Sequence, residues 1–290
     1  MKPFDGKEIH TYLWDQVENP IGVVQICHGL GEHCGRYRDF AEFLNKNGFI
    51  VFGDDHRGHG LTDNASGDCG EDAAGDTVKD LLFFHAYLRK TYPGLPMIFF
   101  GHSYGSTLAQ RFIELVPELD VCVMTGVTGM PHALASFMAA VMAGVNALAG
   151  KKSFSADSSS MDKKFEDRDV GCAWLTRDKD VRRAYIGDPL CGGPTTLRFS
   201  YSMIKVMRDL SKAANVEKIA GTLPIGIFCG QEDSAGGFGS GPKTVYERLR
   251  GHGKQVSLKL YPGARHEVLN ELNKDEVYGD ILNFIRKNLP

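Results

Sequence analysis

The sequence predicts an α/β fold, a mostly parallel sheet covered by helices on both faces. Three observations carry this. Short continuous apolar segments alternate with segments of helical period, as buried parallel strands and their crossover helices require. Glycine is abundant, 34 of 290 residues against a usual ~7%, and much of it clusters in short loops after the apolar runs. The alternation also stops between residues 130 and 210 and then resumes, so a block is inserted into the sheet.

Glu8–Trp14 and Ile21–Cys27 read as strands separated by the Asn19-Pro20 turn signal. Arg36–Asn47 has helical periodicity through Tyr37, Phe40, Phe43 and Leu44, and Asn47-Gly48 ends it. Phe49–Gly53 is a short apolar strand. Asp76–Thr91 is an amphipathic helix with Leu81, Phe84, His85 and Leu88 on one stripe. Met97–Phe100 is a buried strand, Tyr104–Val116 a helix and Val121–Thr125 another strand.

The inserted block begins with an alanine-rich helix, Ala133–Gly150. One face is bulky (Leu134, Phe137, Met138, Val141, Met142, Val145, Leu148) and the other small (Ala135, Ala139, Ala140, Ala143, Ala147). That asymmetry suits a helix lying on something rather than crossing lipid. A polar stretch follows (Ser153–Ser160), then helical pieces around Trp174–Tyr185 and Thr195–Leu210. A strand at Ile225–Cys229, a helix at Pro242–Arg250, a strand at Val256–Leu260 and a helix at Lys274–Lys287 complete the pattern. The expected division is a core of residues 1–129 and 211–290 carrying a helical cap of residues 130–210.

Lys and Arg number 33 and Asp and Glu 36, a net charge of −3. A nucleic-acid binder would show a strongly basic domain, so nucleic acid is excluded as a partner. The seven cysteines are odd in number and never spaced Cys-x-x-Cys, which argues against a disulfide framework or a zinc site. Met1–Trp14 has no apolar core of a signal peptide. The expectation is a cytoplasmic protein.

The central signal is Met97–Phe100 followed by Gly101-His102-Ser103-Tyr104-Gly105 and a helix. A serine on a tight strand-to-helix turn presents its hydroxyl, and side chains at 101 and 105 would collide with neighbouring backbone. The helix N-terminus then faces any negative charge that develops there. Such a serine needs a general base. Functional groups of a parallel sheet sit at the carboxyl ends of its strands. Of the two histidines after the inserted block, His252 precedes the Val256–Leu260 strand, whereas His266 follows it, so His266 is the candidate base. The acid is expected after Ile225–Cys229, in Gly230-Gln231-Glu232-Asp233; Asp233 is preferred and Glu232 is its rival. Its work is to hold the imidazole tautomer and stabilise the imidazolium. Asp54 and Asp55 come early in the chain and read as structural.

After the strand ending at Cys27 stands His28-Gly29-Leu30-Gly31-Glu32-His33. The Leu30 N–H, with that of Tyr104, would form an oxyanion hole. Gly29-x-Gly31 lacks the third glycine of a dinucleotide fingerprint. His28, His33, His56 and His59 have no metal-ligand spacing and read as hydrogen-bonded loop histidines. No metal or organic cofactor is expected.

Four motifs in order, His28-Gly29-Leu30-Gly31-Glu32-His33, Asp55-His56-Arg57-Gly58-His59-Gly60, Gly101-His102-Ser103-Tyr104-Gly105 and Gly263-Ala264-Arg265-His266-Glu267, resemble the monoacylglycerol lipase and lysophospholipase group of α/β-hydrolases, of the serine aminopeptidase S33 type. The likeness runs through nearly the whole chain. Trp174-Leu175-Thr176-Arg177-Asp178 and Asp188-Pro189-Leu190-Cys191 look like the cap of its bacterial lysophospholipase-like branch. The resemblance implies an α/β-hydrolase fold, a triad of Ser103, Asp233 and His266, oxyanion donors at Leu30 and Tyr104, and cleavage of single-chain acyl esters. The departure is Ser234–Gly241, a glycine-rich loop after the acid.

The expected activity is hydrolysis of monoacylglycerol or lysophospholipid esters through an acyl-enzyme. Rivals are a short-chain carboxylesterase, an amidase or peptidase on the same fold and, from another class, a non-catalytic ligand-binding protein. A dehalogenase or epoxide hydrolase would carry aspartate at position 103 and is excluded. The cap block holds 12 Lys and Arg against 9 Asp and Glu, a charge of +3 that leaves −6 for the rest. A mildly basic, apolar cap suits anionic lipid or a fatty-acid product. Its bulky stripe either lines a lipid channel, lies on a membrane as a peripheral contact, or packs on the core.

Overall fold

The computed structural model describes residues 1–149, 152–154 and 159–290; residue 150 of the alanine-rich run and residues 155–158 of the serine-rich stretch lie outside the described residues. The main sheet contains β1 (Thr11–Trp14), β2 (Gly22–Cys27), β3 (Phe49–Asp54), β4 (Met97–His102), β5 (Val121–Thr125), β8 (Ile225–Gly230) and β9 (Val256–Tyr261). A two-residue pair, β6 (Ser153–Phe154) with β7 (Thr195–Thr196), stands apart. The sheet order is β1-β3-β2-β4-β5-β8-β9, with β1 antiparallel to β3 and all other neighbours parallel.

The continuous apolar runs arise because alternate side chains enter two separate cores. Val24, Ile26, Val51, Ile98 and Phe100 point to the face covered by α1 (Arg38–Lys46) and α11 (Lys274–Asn288), with Phe40, Leu44 and Ile281. Val23, Phe52, Met97, Phe99 and Ile227 point to the other face, which carries Leu81 and Phe84 of α3 (Ala73–Thr91), Leu108 and Phe112 of α4 (Tyr104–Ile113), and Val245 and Leu249 of α10 (Ser240–Gly251). The short helix α2 (Gly60–Asp63) lies between β3 and α3.

Between β5 and β8 the chain leaves the sheet through α5 (His132–Ala149), α6 (Ser159–Asp162), α7 (Lys179–Gly187), α8 (Leu197–Leu210) and α9 (Ala213–Val216). The alanine-rich helix α5 lies on α8 with Ala135 and Ala139 buried and Met138, Met142 and Val145 half-buried, while Phe137 is 68% and Leu148 90% exposed. Of the bulky stripe, Leu134, Phe137, Val141 and Leu148 are exposed and do not pack on the core, whereas Met138, Met142 and Val145 are partly covered. Small side chains let two helix axes approach closely. By length and composition alone α5 could cross a membrane, but it lies as one helix of this excursion.

Other boundaries shift for local reasons. The predicted strand Glu8–Trp14 contracts to Thr11–Trp14 because the Ile9 N–H donates to the Met1 carbonyl instead of a ladder. The predicted helical piece from Trp174 begins only at Lys179, where Asp178 caps the Asp180 and Val181 N–H groups. The Trp174 and Leu175 carbonyls accept instead from the His266 and Glu267 N–H groups.

Candidate active site

The register between strands brings the carboxyl ends of β2, β4, β8 and β9 to one rim: Cys27 faces Gly101, His102 faces Thr125 and Gly230 faces Tyr261. Each candidate residue lies in the first few positions past one of these ends.

Ser103 sits between β4 and α4 at φ 53°, ψ −113°, a left-handed conformation rare for a residue with a side chain and a store of local strain. Its N–H donates to the Thr125 carbonyl at 3.0 Å. The flanking glycines are required by close approach: a Cβ on Gly101 would lie 2.4 Å from the Gly105 carbonyl oxygen, and one on Gly105 would lie 2.0 Å from that of Cys27.

The Ser103 hydroxyl donates to His266 Nε2 at 2.8 Å, and His266 Nδ1–H donates to Asp233 Oδ2 at 2.8 Å. Burial works against a charged His266, but the Asp233 carboxylate, helped by Glu267 and Glu32, outweighs it and the imidazole pKa is raised. Burial likewise opposes the charge on Asp233, yet His266 and the Gly236 N–H hold its pKa below the usual carboxylate range. The rival Glu232 is exposed, with its side chain outside this cluster, and His252 is exposed at the end of α10, remote from it.

The glycine-rich loop holds the acid. The Gly236 N–H donates to Asp233 Oδ1 at 2.9 Å and the Phe238 N–H to the Asp233 carbonyl at 2.7 Å. Nothing in the composition of Ser234–Gly241 announced that role.

The Leu30 N–H and the Tyr104 N–H have no protein acceptor among the described residues. The neighbouring Gly29 N–H is already committed to Glu32 Oε1 at 2.6 Å. Tyr104 opens α4, so its N–H adds the positive end of the helix dipole. The Gly31 carbonyl accepts from the Tyr185 hydroxyl at 2.9 Å and the Gly192 N–H at 2.8 Å, so the excursion grips this loop. Trp174 stands with its ring 5.0 Å from that of His266.

The early histidines are all loop residues with partners. His28 Nδ1–H donates to the Gly29 carbonyl and its Nε2 accepts from the His56 N–H. His56 pairs with Asp54, and His59 Nδ1–H donates to the Arg57 carbonyl. Asp55 accepts from the Cys34 and Leu61 N–H groups, a structural task. His33 Nε2 lies 2.9 Å from Asp188, and ligand-type atoms of His33, Asp188 and Cys191 fall within 4.8 Å of one another. The charge of nearby Arg36, which bears on both Asp188 and Cys191, opposes a cation there.

Three comparisons bear on this site. The profile of the serine aminopeptidase S33 family of hydrolases matches residues 18–273. A monoacylglycerol lipase of Mycolicibacterium smegmatis is 26% identical over 286 residues, covering 98% of this chain and 95% of that protein. Among solved structures, one described as a lipase in its open form superposes with a TM-score of 0.86 at 30% identity, covering 99% of this chain and 97% of that one. A thermostable carboxyl esterase from Bacillus coagulans, in complex with glycerol, matches with a TM-score of 0.86 at 28% identity, covering 99% and 97%.

Proposed function

This chain belongs to the serine aminopeptidase S33 family of hydrolases, and from that premise we propose that it cleaves the carboxylic esters of single-chain lipids, monoacylglycerols first among them, through an acyl-enzyme on Ser103. The protein is a carboxylic ester hydrolase of α/β-hydrolase fold. The observation that carries the assignment of roles is the unbroken relay Ser103 Oγ, His266, Asp233, with 2.8 Å at each step.

In this reading His266 Nε2 takes the hydroxyl proton as Ser103 Oγ attacks the ester carbonyl. The Leu30 and Tyr104 N–H groups receive the oxyanion. As the tetrahedral intermediate collapses, the bond to the alcohol oxygen breaks and His266 gives that oxygen its proton. Water, deprotonated by the same imidazole, then attacks the acyl-serine, and the fatty acid leaves as Ser103 recovers its proton. No step calls on a metal or an organic cofactor.

The family's description names an aminopeptidase, which would need carboxylates free to face a substrate amine. Next to the relay, Glu32 and Glu267 both engage Arg36, which favours an ester over a peptide. The lipase name of the mycobacterial relative points the same way.

The finer parts of the reading rest on the excursion. We assign residues 130–210 as a cap over the site, with α5 turned outward as a peripheral contact with lipid surfaces. Phe137, Val141 and Leu148 on one exposed face support this, because an isolated apolar stripe of this kind gains by lying at a bilayer interface. Seven free cysteines fit a cytoplasmic setting.

The deciding experiment is fluorophosphonate labelling of the wild type and Ser103→Ala, run beside hydrolysis of p-nitrophenyl esters from two to sixteen carbons, monoacylglycerol and lysophosphatidylcholine. Labelling lost in Ser103→Ala, with turnover of long single-chain esters, is expected. A maximum on acetate with no lipid turnover would mark a general short-chain esterase instead.

A further inference from the structure

One buried charge system beside the relay has no part in the chemistry above. Glu32 stands in the oxyanion loop, where Oε1 accepts from the Gly29 N–H at 2.6 Å and the Tyr37 hydroxyl at 2.8 Å, while Oε2 accepts from Arg36 Nη1 at 2.6 Å. Arg36 then forks onto Glu267, Nη1 to Oε1 and Nη2 to Oε2, each 2.7 Å. Glu267 follows His266 in the chain, and its Oε2 also accepts from Asn270 Nδ2 at 2.9 Å. Glu32 and Glu267 are buried, and the Tyr185 ring covers the guanidinium at 4.9 Å.

We propose that Arg36 is a positioning residue, a brace that fixes the oxyanion loop against the histidine loop so that the Leu30 N–H and His266 Nε2 keep one geometry about Ser103. The proposal rests on the roles given above to Ser103, His266 and Leu30.

The peptide that presents the Leu30 N–H begins at Gly29, and the Gly29 N–H is held by Glu32. The residue next to the general base is Glu267, 231 positions from Arg36 in sequence. One guanidinium thus ties two loops whose only shared task in this reading is the reacting carbonyl. A fork of two parallel N–H bonds fixes orientation as well as distance, which a lysine ammonium does not. A buried ion triad is a weak source of stability and often no better than apolar packing, so its stability alone gives little reason for this arrangement. The brace carries two carboxylates and one cation, hence a net negative charge near His266. The other titratable groups around that imidazole are Asp233 after β8 and His102 at the end of β4, whose ring lies 5.0 Å away.

The test compares full-length wild type, Glu267→Gln and Arg36→Lys by kcat and KM on a soluble p-nitrophenyl ester across pH, with thermal unfolding and fluorophosphonate labelling as controls. Misplacement by about an ångström costs up to ~10²-fold, so kcat is expected to fall roughly tenfold to a hundredfold in both variants with KM little changed. In Glu267→Gln the acid limb of the pH profile moves to lower pH, because a negative charge that favours the imidazolium is gone. In Arg36→Lys, where the cluster keeps its charge, the limb stays while kcat falls. The Arg36→Lys arm decides alone if Glu267→Gln does not fold. The brace is overturned if the folded variants keep kcat within twofold of wild type, or lose activity only in proportion to the unfolded fraction with the acid limb unmoved. A wild type that is not labelled at Ser103 removes the catalytic reading itself, and the brace with it.

Discussion

His266 Nδ1–H donates to Asp233 Oδ2 at 2.8 Å inside a site where both side chains are almost wholly buried. The imidazole must be neutral to accept the serine proton, and its pKa is raised because Asp233, with Glu267 and Glu32, more than offsets the burial that disfavours charge. The acid limb of kcat/KM is therefore expected above the ordinary histidine value of about 6.5, with activity lost as pH falls through it. In Asp233→Asn the limb should move to lower pH while kcat drops by about 10⁴, as when an amide replaces the carboxylate of such a relay. A pH–rate series on both proteins checks this; an acid limb that stays in place in the variant would break the assignment of the limb to this pair.

The Tyr185 hydroxyl donates to the Gly31 carbonyl at 2.9 Å, sharing that acceptor with the Gly192 N–H. Tyr185→Phe removes one of the fasteners between the excursion and the oxyanion loop, which the Gly192 N–H and the His33–Asp188 pair also join. One hydrogen bond contributes about 1 kcal/mol, so the thermal unfolding midpoint should fall by about 2 °C, while the loosened Leu30 N–H lowers kcat roughly fivefold to tenfold. Single-turnover acylation of an activated ester reads this directly, and a wild-type rate would show that the Gly192 N–H and the His33–Asp188 pair suffice.

The exposed face of α5 predicts a separation of binding from chemistry. Burying a Phe or Leu side chain contributes about 1.5–3 kcal/mol. Phe137→Ser or Leu148→Ser should each weaken vesicle partitioning roughly tenfold to a hundredfold, leaving hydrolysis of a soluble ester intact. Flotation with neutral and anionic liposomes measures it; equal flotation of wild type and variants would remove α5 as the contact.

How much was legible in the sequence follows from what kind of signal each feature leaves. Ser103, Asp233 and His266 could be named because a glycine-flanked serine, a strand-end rule and chain order are local or one-dimensional signals. The structure brings the three together; it leaves His252 outside for the reason the strand ends suggest, whereas Glu232 follows the same strand end as Asp233 and differs in being turned to solvent. The orientation of α5 was not legible. A helix with one large and one small face says that it packs asymmetrically, and which face turns inward depends on α8. Trp174–Arg177 carry residues compatible with a helix, but the His266 and Glu267 N–H groups claim the backbone carbonyls of this segment. Arg36 was missed because its partner Glu267 lies at the far end of the chain. The only hint was a carboxylate beside each candidate loop, Glu32 and Glu267.

His85 offers a last test, on stability. Its ring lies in the core between α3 and α4, 5.4 Å from Phe112, with neither nitrogen partnered among the described residues. Burial, with a smaller contribution from Arg89, lowers its pKa to about 4. In the unfolded chain it titrates near 6.5, so between these values the unfolded state binds a proton that the native state refuses. Stability at this site is accordingly lost as pH falls from about 6.5 toward 4, at up to about 1.4 kcal/mol per pH unit. His85→Leu removes both the unpartnered polar atoms and the titration. It should stabilise the protein by about 1–3 kcal/mol at neutral pH, and the advantage over wild type should widen on acidification. Denaturant unfolding at pH 7, 6 and 5 measures the difference. An advantage that stays constant across that range would mean that His85 titrates alike in the native and the unfolded chain.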